Sequence, residues 1–145
     1  MLYPIGIQSF EKIRTGGFVY VDKTALIYSL AASGQYYFLS RPRRFGKSLL
    51  VSTMEAYFSG RKELFEGLAI ESLEKEWTEY PVLHLDLTGS SYTDISHLKL
   101  SLDQHLRKWE SLYDVTPMSE DLSSRFKDII DAAYRKTGQK VVILI

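Results

Sequence analysis

The residues best suited to chemistry lie in one short stretch, Arg41-Pro42-Arg43-Arg44-Phe45-Gly46-Lys47-Ser48. A glycine followed by a lysine and a hydroxyl residue ends the phosphate-binding pattern Gly-x-x-x-x-Gly-Lys-[Ser/Thr]. In such a loop Gly46 lets the backbone approach a phosphate, Lys47 reaches the terminal phosphates, and Ser48 offers a hydroxyl to Mg²⁺. The N–H groups that open the next helix point at the anion. The stretch therefore predicts a phosphate site.

The match to this pattern is incomplete. The pattern requires a glycine five residues before Gly46, and Arg41 stands there. Two other interpretations are open at this point: a solvated basic turn that caps a helix, and a nucleic-acid patch formed by Arg41, Arg43 and Arg44. The second is weak, because the chain has 18 basic and 18 acidic residues and so no net charge to attract a polyanion.

The composition is that of an ordinary globular protein. A chain of 145 residues, 45% hydrophobic and 25% charged, is long enough for one domain with a real core. It has no cysteine, which excludes disulfides and thiolate chemistry. The N-terminus lacks the basic and apolar regions of a signal peptide, and no apolar run approaches the length of a membrane span. We expect a cytoplasmic protein with no membrane contact.

The elements around the loop have the order that a phosphate site requires. The aromatic and aliphatic run 36–40 precedes the loop and predicts a strand. After the loop, Leu50, Met54 and Phe58 recur at helical spacing, and Gly60 is a natural end of that helix. The helix would direct its N-terminus at the phosphate.

Two further strands are predicted, at 81–87 and 140–145. The first alternates leucines with polar residues, and the second is a continuous apolar run typical of a strand buried on both faces. Helical patterns separate all three strands, including long ones that start near Asp94 and Ser119 and short ones within 61–80. This order predicts an α/β fold with a parallel sheet flanked by helices.

Other polar residues have a structural and a functional interpretation. Asp22 or Thr24 is most simply the N-cap of the next helix, although Asp22 or Lys23 could lie near a nucleotide. His84 and Asp86 could form an acid–base pair, but the wet face of an edge strand is the favoured interpretation. On the next helix, His97 and His105 are too far apart to hold one metal without other ligands.

Four stretches together are similar to one known family. They are residues 4–10, 20–24, 38–48 and 64–68, with the sequences Pro-Ile-Gly-Ile-Gln-Ser-Phe, Tyr-Val-Asp-Lys-Thr, Phe-Leu-Ser-Arg-Pro-Arg-Arg-Phe-Gly-Lys-Ser and Leu-Phe-Glu-Gly-Leu. Over essentially its whole length the chain resembles the AAA-ATPase-like family of bacterial proteins. The resemblance accounts for Arg41 at the glycine position, because the Arg-Pro-Arg-Arg-Phe-Gly-Lys-Ser segment is quite specific to this family.

The resemblance implies a partial P-loop nucleoside triphosphatase fold that binds ATP and, in the full-length parent, Mg²⁺. Backbone N–H groups of residues 43–48 would cradle the phosphates, and Ser48 would be a weak Mg²⁺ ligand. The nucleotide-binding residues expected from it are Arg41, Arg43, Arg44, Phe45, Gly46, Lys47, Ser48 and Leu49. No residue of this chain is expected to be catalytic.

The resemblance also implies parts that lie beyond Ile145. Family members continue with an acidic Walker B segment, more of the ATPase domain and a nuclease-like C-terminal domain. We therefore expect residues 1–145 to be the N-terminal part of a single P-loop domain, truncated before the Walker B acidic residues. With Ser48 as the remaining metal ligand, hydrolysis should be slow or absent. Nucleic-acid contact is expected only through the missing domain.

A consequence for folding follows from the same resemblance. In such ATPases a strand from later in the sequence separates the Walker A and Walker B strands. The two apolar strands, 36–40 and 140–145, must then pair directly, leave unpaired edges or find a partner chain, so the hypothesis is self-association or an altered sheet. The functional alternative to an ATP-binding domain is a non-catalytic interaction module, in which the loop binds nucleotide only to set a conformation or binds nothing.

Overall fold

The computed structural model describes residues 2–88 and 94–145. The chain divides into two compact units, Met1–Glu79 and Tyr80–Ile145, and each has its own hydrophobic core. In the described ranges, every helix is too short or too polar to cross a membrane.

The first unit is helical. It contains α1 (Phe10–Thr15), α2 (Thr24–Ser33), α3 (Lys47–Phe58), a 3₁₀ turn (Lys62–Phe65) and α4 (Ala69–Leu73). The short helices expected within 61–80 and the end of α3 before Gly60 are confirmed. Trp77 packs against the rings of Tyr57 and Phe65, at centroid distances of 5.9 and 5.2 Å. These aromatic contacts fix the loop after α4 to the core.

Helix α3 is held by its inward face. The backbone N–H of Phe10 donates to Ser52 Oγ at 2.9 Å, so a hydroxyl on α3 satisfies one of the open donors at the start of α1. Thr53 is 1% exposed, and its hydroxyl donates to the carbonyl of Leu49 one turn earlier. Polar groups on the buried face of α3 are therefore satisfied, and the helix that follows the candidate loop has a fixed register against α1.

The second unit contains β1 (Val82–His84), α5 (Ile95–Leu112), α6 (Leu122–Thr137) and β2 (Val142–Leu144). The strands pair in parallel, with Val82 opposite Val142 and His84 opposite Leu144. Asp94 and Asp121 cap α5 and α6 by accepting hydrogen bonds from the N–H groups of residues 97 and 124. The core of this unit contains the buried residues Leu83, Leu106, Trp109 and Ile129. The α/β class and the parallel pairing of the last two predicted strands are confirmed.

The strand predicted at 36–40 is wrong. These residues form no strand, and Tyr36 and Phe38 are each 92% exposed. A strand needs a hydrogen-bonding neighbour, and the β-type pairing among the described residues of this unit is the isolated bridge between Leu2 and Phe18. Instead, the Tyr37 hydroxyl donates to the carbonyl of Leu30 at 2.8 Å, at the C-terminal end of α2.

The last predicted strand also differs from expectation. Strand β2 is shorter than 140–145, and Ile143 is 42% exposed, so it is not buried on both faces. A parallel strand is enclosed when crossover helices cover both faces of its sheet. In this unit α5 and α6 are the helices beside two three-residue strands, which is too little structure to enclose them.

Candidate phosphate-binding loop

The loop predicted from the sequence ends at a residue with left-handed backbone geometry. Gly46 is the N-cap of α3, with φ 75° and ψ 16°. Glycine enters this region without strain, whereas other residues lose about 1 kcal/mol or more there. A Cβ atom on Gly46 would meet no atom within 4 Å. The conformation of the turn, and not crowding within the chain, therefore explains the glycine.

Lys47 lies across the loop. Its Nζ atom donates to the carbonyl oxygens of Arg41 at 2.6 Å and Pro42 at 2.9 Å. An ammonium group has three N–H donors, so two are used by the loop itself and the third is available to a ligand. The lysine thus closes the loop and places a positive charge beside the start of α3.

The same geometry explains why the first glycine of the pattern can be replaced. The positive-φ residues within the loop are Arg44 and Gly46, and Arg41 is not among them. Position 41 contributes its carbonyl oxygen to Lys47 and does not need the conformational freedom of glycine. An arginine there is compatible with the loop.

The start of α3 offers unused donors. The first helical hydrogen bond runs from Leu50 N to the Gly46 carbonyl at 2.9 Å. Within residues 2–88 and 94–145, nothing accepts a hydrogen bond from the N–H groups of Gly46, Lys47 or Ser48. Three N–H groups at the N-terminus of a twelve-residue helix, with the positive end of its dipole, favour an anion.

Three arginines surround these donors. The side chains of Arg41, Arg43 and Arg44 are exposed, and none forms an ion pair or a hydrogen bond with a residue that the structure describes. Arg44 also has φ 67°, an unfavourable conformation for a residue with a Cβ atom. The guanidinium groups are therefore available to a ligand.

The other residues that are expected to bind nucleotide differ in how exposed they are. Ser48 is exposed, and Phe45 is 62% exposed. Leu49 instead packs its side chain against the core of the first unit. The structure thus brings Arg41, Pro42 and Lys47 into contact, while a nucleotide contact by any of these residues stays a prediction.

Asp22 has a structural role. One carboxylate oxygen accepts from Thr24 N and Thr24 Oγ1, at 2.8 and 2.7 Å, and the other accepts from Ala69 N at 2.7 Å. Burial acts most strongly and in the upward direction on its pKa, but these hydrogen bonds together lower the pKa of Asp22 below its ordinary value. The N-cap of α2 is Lys23, so the prediction that Asp22 or Thr24 is the N-cap is wrong by one residue. Asp22 instead lies one residue earlier, where its carboxylate joins the starts of α2 and α4.

The histidines and Asp86 belong to the second unit. Asp86 Oδ1 accepts from the Thr88 hydroxyl and the Thr88 N–H, and these bonds lower the pKa of Asp86. His97 contacts the helix cap Asp94, and His105 Nδ1 lies 2.8 Å from the carbonyl oxygen of Ser101. The contacts of Asp86 are local, as expected for the wet end of a strand.

Comparison with known proteins identifies the family of this chain. A family model with the description "Predicted AAA-ATPase" matches residues 4–145. The chain belongs to this AAA-ATPase-like family. A relative in Azotobacter chroococcum mcd 1, described as an uncharacterized protein in the vnfD 5'region, is 38% identical over 144 residues. The match covers 98% of this chain and 28% of the relative, so the chain spans less than a third of that protein's length. No solved structure matches.

The AAA-ATPase family name raises the question of Mg²⁺, and the donor set here does not fit a tightly held Mg²⁺ ion. The loop offers one oxygen ligand, the Ser48 hydroxyl, and the sequence from Lys23 to Met54 contains no aspartate or glutamate. Mg²⁺ prefers carboxylate oxygens in octahedral geometry. In the part of the chain that the structure describes, no group of three His, Cys, Asp or Glu residues could hold a metal.

Sequence reasoning missed a second charged cluster in this AAA-ATPase-like chain. Arg125 on α6 is 7% exposed and donates to both carboxylate oxygens of Glu110, at 2.7 and 2.9 Å, and to Asp103 at 2.5 Å. Its signal in the sequence is the position of Arg125, four residues before the buried Ile129 and therefore on the same helix face. Because all three nitrogens of the guanidinium donate to carboxylates of α5, Arg125 holds the two helices together.

Proposed function

We propose that this chain binds a nucleoside triphosphate, ATP, in the loop 41–49. The observation that carries the proposal is the position of Lys47, whose ammonium spans the loop through the carbonyls of Arg41 and Pro42 and keeps one donor for a phosphate. Membership of the AAA-ATPase-like family supports ATP as the nucleotide. The finer fold assignment, a partial P-loop domain, is part of the same proposal.

Each part of the loop has a role in this proposal. The N–H groups of residues 43–48 surround the phosphates, and Arg41, Arg43 and Arg44 add charge from the sides. Leu49 anchors the first turn of α3 in the core, so that the N–H groups keep their direction. Phe45 lies at the edge of the site. The N–H groups at the start of α3 are already fixed by the helix, so they bind an anion without a large loss of conformational entropy, whereas the exposed arginines lose rotamer freedom.

The proposal concerns binding and not hydrolysis. Phosphoryl transfer requires a well-placed metal ion and a residue that orients the attacking water. The loop supplies a metal with the Ser48 hydroxyl, which we propose as a weak Mg²⁺ ligand. ATP turnover by longer members of the family is a separate proposal, because this chain covers only part of its curated relative.

A second candidate is a protein-interaction module, favoured by the exposed run Tyr36–Leu39. Four large apolar side chains lie on the surface there, and no backbone hydrogen bond joins residues 36–40 to the described residues. Such a segment can pair with another chain, so self-association is possible. Sedimentation at increasing protein concentration tests it: a rising mass that Phe38→Ser suppresses supports the module, and a constant monomer mass contradicts it.

Isothermal titration calorimetry tests the proposed nucleotide site. Wild-type protein should bind ATP, and Lys47→Ala should weaken binding by roughly 100-fold, because a charge-assisted hydrogen bond and its charge are lost. The matched control is Lys62→Ala, which removes an exposed lysine of the 3₁₀ turn and should leave the affinity unchanged. Equal affinities for wild-type and Lys47→Ala, or no binding by wild-type protein, would contradict the proposal.

A further inference from the structure

One feature of the loop is its one-sided charge. The chain as a whole has no net charge, yet the segment from Lys23 to Met54 contains basic residues and no acidic ones. The basic residues in it are Lys23, Arg41, Arg43, Arg44 and Lys47. Four of the five, Arg41, Arg43, Arg44 and Lys47, lie within positions 41–47, so positive charge is concentrated in the loop.

We infer that the loop binds its polyphosphate free of metal, with Arg41, Arg43, Arg44 and Lys47 supplying the positive charge that a Mg²⁺ ion would otherwise provide. This inference rests on the proposed nucleotide site and narrows its ligand to the metal-free triphosphate. The ligand class is a metal-free triphosphate, with or without an attached nucleoside.

The arginines have the donors for this role. A guanidinium carries five N–H donors in a planar fork that matches two oxygens of a phosphate. No carboxylate or carbonyl group of the described residues occupies these forks in Arg41, Arg43 and Arg44. Arg125 shows the opposite state in the same chain, with its fork filled by Glu110 and Asp103. The loop arginines therefore have no intramolecular partner to lose when a phosphate binds.

The Mg²⁺ complex of the ligand should bind this site less tightly than the metal-free ligand does. Mg²⁺ neutralises part of the phosphate charge, which reduces the attraction to a loop whose own charge is entirely positive. The ion would gain one protein oxygen in return, from Ser48, and Mg²⁺ gives up its bound water reluctantly. Charge and ligand count both favour the metal-free form.

Calorimetry with three ligands tests this inference on the whole chain. ATP in excess EDTA should bind at least about threefold more tightly than ATP in excess Mg²⁺, because metal-free ATP carries more negative charge and is attracted more strongly to the loop. Tripolyphosphate in EDTA should also bind, and more tightly than inorganic phosphate. Arg41→Gln, Arg43→Gln and Arg44→Gln should each weaken metal-free binding by roughly three- to tenfold. Lys23→Gln, in the same acid-free segment but outside the loop, is the matched control and should change affinity least.

The outcomes separate the inference from the proposed function. ATP that binds with equal affinity in the two conditions, or more tightly with Mg²⁺, would overturn the inference and leave the nucleotide site intact. Unchanged affinity in all three arginine variants would overturn it as well. No binding of ATP under either condition would overturn the proposed function, and this inference with it. Loss of the EDTA preference in the triple arginine variant, with ATP still bound through Lys47, would support it directly.

Discussion

Two sets of arginines in this chain are used in opposite ways. The side chain of Arg125 on α6 packs against α5, with 7% of the residue exposed, and its guanidinium forms ion pairs with two carboxylates of α5. Arg41, Arg43 and Arg44 lie on an exposed loop without a described partner. The buried arginine is committed to the fold, whereas the exposed ones are available to a ligand. Burial and partners, and not residue type, separate structural from binding arginines here.

Helix periodicity is what distinguishes them in the sequence. Arg125 falls on the buried face of α6, in line with Ile129 and Ala133. A charge at such a position must find a partner, since an unpaired buried charge is strongly destabilising. The loop arginines precede a helix and have no such constraint. This contrast predicts which substitutions reduce stability and which reduce ligand affinity.

The largest expected effect is that of Arg125→Met. Removing the guanidinium leaves Glu110 buried without its partner, and breaking a buried ion pair in this way lowers the free energy of unfolding by about 3–5 kcal/mol. Urea unfolding followed by circular dichroism measures it. Arg107→Met is the control, because Arg107 bonds the same Asp103 but its side chain is 74% exposed, and a loss below about 1 kcal/mol is expected.

A second variant keeps this prediction testable if Arg125→Met does not fold. The double variant Arg125→Met, Glu110→Leu removes both buried charges and should regain most of the lost stability, because an apolar pair can replace a buried ion pair. Equal, small losses for Arg125→Met and Arg107→Met would show that the buried cluster is no more important than a surface pair. The comparison between the two arginine sets would then fail.

An effect of intermediate size on the free energy of unfolding is expected when the carboxylate of Asp103, in the same cluster, is replaced. The hydrogen bonds from Arg125 and then Arg107 hold the pKa of Asp103 below its ordinary value of 3.8. A lowered pKa means that the carboxylate stabilises the fold above pH 3.8, and this contribution is lost as the pH falls from there toward the folded-state pKa. Asp103→Asn should therefore cost about 1.5 kcal/mol at pH 7, and the difference from wild type should shrink below pH 4.

Urea unfolding of both proteins between pH 2 and pH 7 measures this difference. Asp131→Asn is the control, since the ion pair of Asp131 with Arg135 lies on the exposed surface of α6 and should contribute little. A difference between wild type and Asp103→Asn that stays constant down to pH 2 would mean that the charge of Asp103 does not contribute. The cluster would then act through packing alone.

Much of the local structure could be predicted from the sequence. Residues such as the cap Asp94 and the stop Gly138 determine helix ends through contacts within a few residues, so their patterns are sufficient. The start predicted near Ser119 is three residues early, because Asp121 is the cap of α6. The run 36–40 has the composition of a strand, but a strand also needs a neighbour, and composition does not reveal one. The large side chains of this run are exposed in the first unit, so an apolar pattern alone does not show that a segment is a buried strand.

The candidate site also has local features that the sequence predicts and contacts that the sequence does not reveal. The Gly-Lys-Ser end of the loop correctly predicted where α3 begins, because the turn at Gly46 is a local property. The carbonyl partners of Lys47 show that position 41 does not require glycine, and the sequence does not reveal these contacts. The Arg125 cluster was missed because two acidic residues on α5 meet a third charge across a helix hairpin, which is a long-range contact.

The smallest expected effect concerns the backbone of the loop. Arg44 has φ 67°, where a side chain costs about 1 kcal/mol and glycine does not. Arg44→Gly should therefore raise the free energy of unfolding by up to about 1 kcal/mol, while Arg44→Gln keeps the strain and should leave it unchanged. Gly46→Ala places a Cβ atom at φ 75° and should lower it by a similar amount.

Urea unfolding and ATP titration of these three variants separate strain from charge. Both substitutions of Arg44 remove its guanidinium and should weaken nucleotide binding equally, although they differ in stability. Equal stability of Arg44→Gly and Arg44→Gln would mean that the left-handed turn is not strained. If Arg44→Gly is more stable than wild type and also binds nucleotide more weakly, the arginine at this position contributes charge to the ligand and not stability to the fold. Arg125 is the reverse case, because its charge is paired with the carboxylates of Glu110 and Asp103 and stabilises the fold.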